Sequence, residues 1–358
     1  MPNNLAISPL TNGTTYLNKY VLKERIGSGS FGEVWLAHDM ALSHEFALKI
    51  LMPSASIDAK LIEARVGHKF SHNNLVRVHQ ADVTSDGMVL IAMDYFQKGS
   101  VTNLANCANF VPLNLALRAT IDFLRGLEHL HIHNFYHNDI KPQNILLGDQ
   151  GQAKLSDYGI VGSSKNGEAV APSAWYKLHA APEIGQGLGI EAKTDIFQAG
   201  LTFFRLLVGL GVLESKMCDL GEDGYEGAVA NGKLVTKTDF PDYVPLALKS
   251  AILKSIDPNP AKRYQSALAM RRDLEKLSFF GSWTVDDAGD FVGEDSKYLY
   301  KFSCQALGAG NSSFECFKLS KSSDRQTKIS KYRRKNVSKD VALATRTQFF
   351  RDVVLGKV

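Results

Sequence analysis

Two short stretches of the sequence concentrate residue types that can do chemistry. Residues 137–146 read HNDIKPQNIL, which places a histidine, an aspartate, a lysine and an asparagine within eight positions and closes them with an apolar run. Residues 27–34 read GSGSFGEV, and glycines at this spacing let backbone amides approach phosphate oxygens with no side chain in the way. The glycine run alone is a weak signal, because a glycine turn without a ligand is about as common. A dinucleotide-binding fold needs a helix directly after the run, which EVWLAHD does not offer.

A lysine and a glutamate further along the chain are candidates for a buried pair. Lys49 lies in the strand-like stretch FALKIL, where a fixed cation could hold the phosphates of a nucleotide. A half-buried lysine needs a carboxylate partner to stay charged and in place, and Glu63 on a predicted helix is the candidate. Taken by itself, Glu63 would more simply be a solvated helix residue.

The sequence pattern predicts that these residues are carried by a mainly β lobe followed by a mainly α lobe. Residues 20–51 are rich in β-branched and aromatic residues broken by glycines, and residues 74–96 alternate around an SDG turn. Residues 57–70 carry apolar positions at helical spacing, so the first lobe should hold five strands and one helix. After Gly99 helical spacing dominates to about Leu277.

The last part of the chain has a different composition and predicts a small β-rich module. Residues 281–297 are acidic and glycine-bearing and are interpreted as a boundary, after which two strand-like runs flank LGAGN as a hairpin. Residues 341–355 predict a terminal helix. From residue 281 onward, 14 lysine and arginine residues face nine aspartate and glutamate residues. A solvated domain edge or loose tail explains this excess more simply than nucleic-acid binding, which stays open.

Composition indicates a cytoplasmic chain without a membrane segment. The 358 residues are 44% hydrophobic, enough for a large core, and the amino terminus lacks the basic start and apolar run of a secretory signal. The most apolar window, residues 196–214, includes Gln198 and Arg205, which favours a buried core helix over a bilayer span. The four cysteines form no CxxC pair or metal-ligand spacing, as expected for free thiols in a reducing compartment.

Five motifs stand in one order along the chain: GSGSFGEV, FALK, HNDIKPQN, DYG at residues 157–159 and APE at residues 181–183. In this order they resemble a eukaryotic-like, Hanks-type serine/threonine protein kinase of the soluble bacterial or phage type. The resemblance covers roughly residues 20–278. It implies an α+β, two-lobed protein kinase fold followed by the small C-terminal β-rich module.

The resemblance also implies a domain organisation. The N-lobe is expected at about residues 20–96 and the C-lobe at about residues 97–278. Residues 1–19 are then an N-terminal extension, and residues 279–358 are a basic module without an assigned role.

The same resemblance implies roles for the polar side chains. Asp139 would orient and deprotonate the acceptor hydroxyl as the catalytic base, and Lys141 would lie against the transferred phosphate. Lys49 would pair with Glu63. His137 is expected to pack and hydrogen-bond rather than to act as a base.

Two further sets of residues follow from the resemblance. Asn144 and Asp157 would hold Mg²⁺, a hard cation that prefers oxygen ligands. ATP would lie with its adenine between apolar side chains of both lobes, its edge read by the backbone of the connecting segment, and its phosphates under the glycine run. The expected nucleotide-binding residues are Ile26, Gly27, Gly29, Gly32, Val34, Ala47, Lys49, Met93, Asp94, Phe96 and Leu146.

Three supporting residues are expected as well. Asp195 would hold the backbone of the catalytic loop from within the buried apolar helix. Arg263 would form a structural pair with Glu183 of APE.

The implied activity is ATP-dependent transfer of the γ-phosphate to serine or threonine hydroxyls of protein substrates. The lysine two residues after Asp139 resembles the serine/threonine branch rather than the tyrosine-specific one. Two alternatives stay open: a nucleotide-binding pseudokinase that acts as a scaffold, and a small-molecule phosphotransferase of related fold.

Three departures from the family pattern bear on regulation and substrate docking. Asn138 stands where most members have an arginine that binds a phosphate on the activation segment, so switching by that phosphate is not expected. Tyr158 replaces the usual phenylalanine of the DYG position. Tyr176 stands where the serine/threonine branch usually has a threonine. The activation segment, which runs from Asp157 to Glu183, has no threonine. Its possible autophosphorylation sites are Ser163, Ser164 and Ser173.

Overall fold

The chain folds into a β-rich N-lobe, a helical C-lobe and a C-terminal β-rich unit. The computed structural model describes residues 10–29, 32–53, 57–159, 161–164, 168–307 and 310–358. The predicted α+β, two-lobed class is confirmed.

The N-lobe is one six-stranded antiparallel sheet with a helix packed on one face. The strand order is β1-β2-β3-β4-β6-β5, and β4 is buried along most of its length, so its side chains are fixed from both faces. One strand more than predicted is present, because Thr15–Tyr16 pairs with the start of β2. The elements are β1 (Thr15–Tyr16), β2 (Tyr20–Gly29), β3 (Gly32–Asp39), β4 (His44–Leu51), α1 (Ile57–Lys69), β5 (Val78–Val83) and β6 (Val89–Met93).

The C-lobe is built around two long helices. The first, Leu113–Ile132, buries an apolar stripe. The second, Ala192–Val208, is buried for nearly its whole length, which confirms the predicted core helix. A third, Val212–Ala230, is broken at Gly221, where φ is +70°. The elements are α2 (Leu113–Ile132), β7 (Phe135–Tyr136), β8 (Ile145–Leu147), β9 (Ala153–Leu155), β10 (Gly162–Ser163), α3 (Pro182–Gly185), α4 (Ala192–Val208), α5 (Val212–Ala230), α6 (Leu246–Ser255) and α7 (Ala267–Glu275).

Within the described residues, no helix alone is both long and apolar enough to cross a bilayer. Helices α4 and α5 satisfy length and composition only when taken together, as a pair bent by 115°.

The C-terminal unit is a six-stranded antiparallel sheet covered by one helix. The predicted hairpin is confirmed, with Tyr298 opposite Ser320, although Gly308 and Ala309 of LGAGN lie outside the described residues. The acidic stretch interpreted as a boundary instead forms the first hairpin of this sheet. The elements are β11 (Ser282–Val285), β12 (Phe291–Glu294), β13 (Tyr298–Ala306), β14 (Asn311–Ser320), β15 (Gln326–Lys328), β16 (Arg334–Ser338) and α8 (Lys339–Leu355).

Aromatic side chains join this unit to the C-lobe. Trp283 is fully buried, stacks on Phe350 of α8 at a centroid distance of 4.1 Å and donates its indole N–H to the Phe350 carbonyl at 2.9 Å. Phe291 lies 5.5 Å from Phe350 and 6.4 Å from Tyr243 of the C-lobe, which stacks on Phe110 at 5.3 Å. The unit therefore shares a hydrophobic core with the C-lobe and is no loose tail.

Candidate active site

The loop that carries HNDIK is held by its backbone from helix α4. The Asp195 carboxylate accepts the His137 N–H at 2.8 Å and the Asn138 N–H at 2.7 Å. One turn further along α4, the Gln198 amide accepts the Ile140 N–H at 3.0 Å and donates to the Asn138 carbonyl at 2.9 Å. These groups are fully buried, so the loop conformation is fixed by bonds that water cannot replace.

Asp195 has the position that the sequence predicted for it, whereas Gln198 was missed. Thr202 was missed too, and its hydroxyl donates to the Ile140 carbonyl at 3.0 Å. A signal was present, since three polar residues at positions i, i+3 and i+7 of an apolar helix lie on one face. Sequence reasoning used Gln198 only as an argument against a membrane span.

The Asp139 carboxylate is fixed by two side chains of its own loop. Lys141 Nζ donates to both oxygens, at 2.9 and 2.7 Å, and Asn144 Nδ2 donates to Oδ2 at 2.8 Å. Asn144 Nδ2 also donates to the Asp139 carbonyl at 2.9 Å. The carboxylate therefore has one orientation, and a cation lies beside it.

Both ring nitrogens of His137 form hydrogen bonds, and they join the HNDIK loop to the segment after β9. Its Nε2 lies 3.0 Å from the Ser156 carbonyl, and its Nδ1 accepts the Asp139 N–H at 3.2 Å. Because a carbonyl can only accept, Nε2 carries the proton and the imidazole is neutral. Burial lowers the pKa of His137, in agreement with a neutral ring and with the prediction that it is no base.

Lys49 lies between two carboxylates at the junction of the lobes. Its Nζ donates to both oxygens of Glu63, at 2.9 and 2.7 Å, and to Asp157 Oδ1 at 2.9 Å. The predicted contact between Lys49 and Glu63 is thus present. Strand β4 supplies Lys49 and helix α1 supplies Glu63, while Asp157 follows β9 with a left-handed φ of +66°.

Burial and charge act differently on the three groups. Burial lowers the pKa of Lys49, but the charges of Glu63 and Asp157 outweigh it and raise that pKa, so the lysine stays charged. Burial raises the pKa of Glu63 to about 6 despite the attraction of Lys49. For Asp157 burial also acts upward, but Lys49 outweighs it and lowers the pKa. One cation therefore faces two carboxylates, which leaves an excess of negative charge.

The oxygens of Asn144 and Asp157 fit a hard divalent cation. Asn144 bonds through its amide nitrogen, which leaves its side-chain oxygen for a ligand. Asp157 uses Oδ1 for Lys49, and its side chain is 36% exposed. The part of the chain that the structure describes has no cluster of three or more His, Cys, Asp or Glu side chains able to hold a metal. The donor set thus fits a site in which Mg²⁺ takes two protein ligands and phosphate oxygens rather than a protein cage.

The glycine run is a β2–β3 hairpin whose Ser30 and Phe31 lie outside the described residues. Gly29 is opposite Gly32 in the register. A Cβ at Gly32 would overlap the carbonyl oxygen of Ile50, so this position accepts only glycine.

The residues predicted around the adenine come from strands of both lobes and from the segment between the lobes. Ala47 lies opposite Met93, and Val34 lies opposite Lys49 in the same sheet. Leu146 is on β8 of the C-lobe. Val34, Met93 and Leu146 are partly exposed. Gly27 and Phe96 also lie in the described part, and Ile26 is 41% exposed.

Asp94 begins the segment that connects the lobes. It is held by His79 of strand β5 and by Arg77, the residue that precedes this strand. Its carboxylate lies 2.7 Å from His79 Nε2, and its N–H donates to the Arg77 carbonyl at 3.0 Å.

An uncharged contact from Asn138 attaches the activation segment to the catalytic loop. Asn138 has a left-handed φ of +61°, which asparagine tolerates, and its Nδ2 donates to the Ala174 carbonyl at 2.8 Å. Strand β10 pairs with β7, with Ser163 opposite Phe135. Ser163 and Ser173 are exposed and Ser164 is partly exposed.

A contact between a buried histidine of the activation segment and a buried arginine of helix α4 was not predicted. His179 Nδ1 lies 2.7 Å from the Ile140 carbonyl, and its Nε2 lies 3.2 Å from Arg205. Burial, together with the Arg205 charge, lowers the pKa of His179 to about 3. No local sequence signal links residues 179 and 205, because the fold alone brings them together.

The structural pair expected at the end of the segment is present. Arg263 binds both oxygens of Glu183, at 2.7 and 2.8 Å, and both side chains are buried. Thr194 donates to the same carboxylate at 3.0 Å.

Comparisons with known proteins agree with this geometry. The family model described as the protein kinase domain matches residues 20–274. A Clostridium acetobutylicum protein named a probable serine/threonine-protein kinase is 26% identical over 78% of this chain and 42% of its own length. CBL-interacting serine/threonine-protein kinase 7 of Arabidopsis thaliana is 28% identical over 77% of this chain and 65% of its own length. Serine/threonine-protein kinase PknB of Mycobacterium leprae is 23% identical over 73% of this chain and 43% of its own length.

In each case the chain spans less than two thirds of its relative's length. The family match nevertheless covers more than half of this chain, with all five motifs inside it. The chain therefore belongs to the protein kinase domain family, in its eukaryotic-like, Hanks-type serine/threonine class.

Proposed function

We propose that this chain transfers the γ-phosphate of ATP to serine or threonine hydroxyls of protein substrates. The observation that carries the proposal is the contact of Lys49 with both Glu63 and Asp157, at 2.7 and 2.9 Å. This contact joins a strand of the N-lobe, a helix of the N-lobe and the start of the activation segment. A fixed cation at this junction supports binding of the phosphates of a nucleotide between the lobes.

The surroundings of Asp139 support the chemistry assigned to it. Phosphoryl transfer leaves a protein little covalent work, so catalysis consists mainly of alignment and of charge stabilisation. Asp139 accepts the proton of the acceptor hydroxyl and orients its oxygen toward the γ-phosphorus. Lys141, already beside that carboxylate, stabilises negative charge on the phosphoryl oxygens as they move.

Mg²⁺ bound by Asn144 and Asp157 would neutralise charge on the phosphates. Asp157 keeps its carboxylate charged through Lys49, so it is ready to act as an oxygen ligand. The adenine lies between Val34, Ala47 and Leu146, and the backbone from Asp94 to Phe96 reads its edge. The glycine run covers the phosphates.

The partners and the location are part of the same proposal. The substrates are proteins with serine or threonine acceptors, and the exposed Ser163 and Ser173, with Ser164 beside them, are candidates for autophosphorylation. All four cysteines are unpaired, which supports a reducing compartment such as the cytoplasm.

The test is transfer of labelled phosphate from ATP in the presence of Mg²⁺, measured for the wild type and for Asp139→Asn. Asp139→Asn removes the proton acceptor and should lower transfer by about a hundred- to ten-thousandfold, while nucleotide binding is kept. The matched control is Asp324→Asn in the exposed turn before β15, where φ is +51° and asparagine is tolerated. Tight ATP binding by the wild type without transfer to itself or to a generic protein acceptor would reject kinase activity and support a scaffold.

A further inference from the structure

Tyr176 lies against the catalytic lysine at the end of the activation segment. The Lys141 ammonium is over the Tyr176 ring, 4.8 Å from its centroid. The same ammonium contacts both oxygens of Asp139, at 2.9 and 2.7 Å. Lys141 is thus held by two groups, a carboxylate and the face of an aromatic ring.

The surroundings make the ring contact effective. The Lys141 side chain is 21% exposed and Asp139 is 10% exposed, so the ammonium is largely out of water. A cation over an aromatic face is attracted by the ring quadrupole, and the attraction grows as water is removed. Burial raises the pKa of Tyr176, so the phenol stays neutral and brings no competing charge.

Tyr176 itself rests on a rigid support. Its ring lies 5.4 Å from the His179 ring, which is neutral and bonded at both nitrogens, to Ile140 and to Arg205. Arg205 is 1% exposed and is fixed in turn by the Leu210 carbonyl and by Glu214. The ring is therefore packed against a buried, hydrogen-bonded pair of side chains.

We propose that Tyr176 is a positioning residue that holds Lys141 beside Asp139 through the face of its ring. The proposal rests on the kinase activity proposed above and concerns the geometry of that same site. A flexible lysine with four rotatable bonds loses much of its freedom when two groups hold its ammonium, so the ammonium is in place when the γ-phosphate arrives.

Substitutions of Tyr176 can distinguish the effect of its ring face from the effects of its hydroxyl and of its side-chain volume. Tyr176→Phe keeps the ring face and should transfer phosphate at a rate near that of the wild type. Tyr176→Leu keeps an apolar side chain without a π face, and its kcat should fall about five- to thirtyfold with an unchanged KM for ATP. Tyr176→Met, a flexible apolar replacement, should behave like Tyr176→Leu if the leucine variant folds poorly.

A merely structural role would give a different pattern. It would lower the thermal midpoint of the leucine and methionine variants and reduce the active fraction, without a selective loss of kcat per folded molecule. Normal kcat in Tyr176→Leu or Tyr176→Met, at a normal thermal midpoint, would overturn the inference. An equal loss in Tyr176→Phe would also overturn it, because the hydroxyl would then be the group that matters.

A second measurement does not depend on turnover. In protein labelled with ¹³C-lysine, the ε-methylene resonance of Lys141, assigned with Lys141→Arg, should carry an upfield ring-current shift that Tyr176→Phe keeps and Tyr176→Leu removes. A Lys141 resonance without this shift in the wild type rejects the ring contact. Absence of transfer by the wild type rejects the proposed kinase activity, and with it any role in transfer, whereas the resonance reports on the contact alone.

Discussion

Replacing Glu63 by glutamine should separate activity from stability. Glu63 is 3% exposed and contacts Lys49 through both oxygens. Its pKa is raised from 4.5 to about 6 because burial outweighs the attraction of the lysine. At about 1.4 kcal/mol per pKa unit, keeping the charge at pH 7 costs the fold about 2 kcal/mol. A neutral glutamine of the same shape removes this cost, so Glu63→Gln should be as stable as the wild type or slightly more stable.

Activity should respond in the opposite direction. The glutamine lacks the charge that holds the Lys49 ammonium, although Asp157 still lies 2.9 Å from Lys49 and the glutamine oxygen can still accept a hydrogen bond. Lys49 should therefore be positioned less precisely for the nucleotide phosphates. Transfer should therefore fall about ten- to a hundredfold.

The pH dependence of the free energy of unfolding gives a second test that the Glu63 charge destabilises the fold. Between pH 4.5 and about 6 the folded state holds a proton on Glu63 that the unfolded state has released. Relative to Glu63→Gln, the wild type should therefore lose about 2 kcal/mol of stability as pH rises through this window. The buried neutral histidines His137 and His179, whose pKa values are lowered, favour the folded state as pH rises in both proteins, so the difference between the two proteins is the quantity that reports on Glu63. Stabilisation by the lowered pKa of Asp157 is lost only as pH drops below its ordinary value of 3.8, outside the window.

The assay is denaturant unfolding at several pH values between 4.5 and 8, with phosphate transfer measured at pH 7.5. Glu226→Gln, an exposed glutamate of helix α5, is the matched control and should change neither quantity. Wild-type activity in Glu63→Gln would refute the reasoning about Lys49. The same pH dependence of stability in the wild type and in Glu63→Gln would refute the assignment to Glu63.

Two further predictions concern the activation segment and the C-terminal unit. Asn138→Asp replaces the donor to the Ala174 carbonyl with a second acceptor, so limited proteolysis should cut the segment faster and transfer should fall about tenfold. Asn134→Asp, at a similar left-handed φ of +59°, is the control, and equal cleavage rates would refute the tether. Trp283→Ala removes a fully buried indole and should lower the free energy of unfolding by about 3–5 kcal/mol. Trp175→Ala, at a half-exposed tryptophan, should change it little, and similar thermal midpoints would contradict the shared core.

Local motifs were sufficient to predict the polar centre of the site. Glycine spacing, the lysine on a strand and the HNDIK stretch are short-range patterns, and their order along the chain implied the contact between Lys49 and Glu63. Asp195 was predicted for the same reason. The roles assigned to the metal-binding and adenine-binding residues remain proposals.

Contacts that depend on long-range folding could not be predicted. The chain separates His179 from Arg205, and nothing in their local sequence indicates that they meet. For Tyr176 the resemblance indicated a position beside the catalytic aspartate and lysine, but not the contact that a tyrosine ring makes there. The β11–β12 hairpin was misread because its strands have four residues each and its turn is rich in aspartate and glycine, which resembles a linker. Thr15–Tyr16 is too short to give an alternating pattern.

The aromatic contacts from Phe110 through Tyr243 and Phe291 to Phe350 have a practical consequence. The family match ends at residue 274, yet a protein shortened there would leave the rings of Phe110 and Tyr243 facing solvent. Such a truncated catalytic region should be prone to self-association and need detergent or a fusion partner to stay dispersed. Expression for crystallography or inhibitor screening should therefore retain the chain through α8.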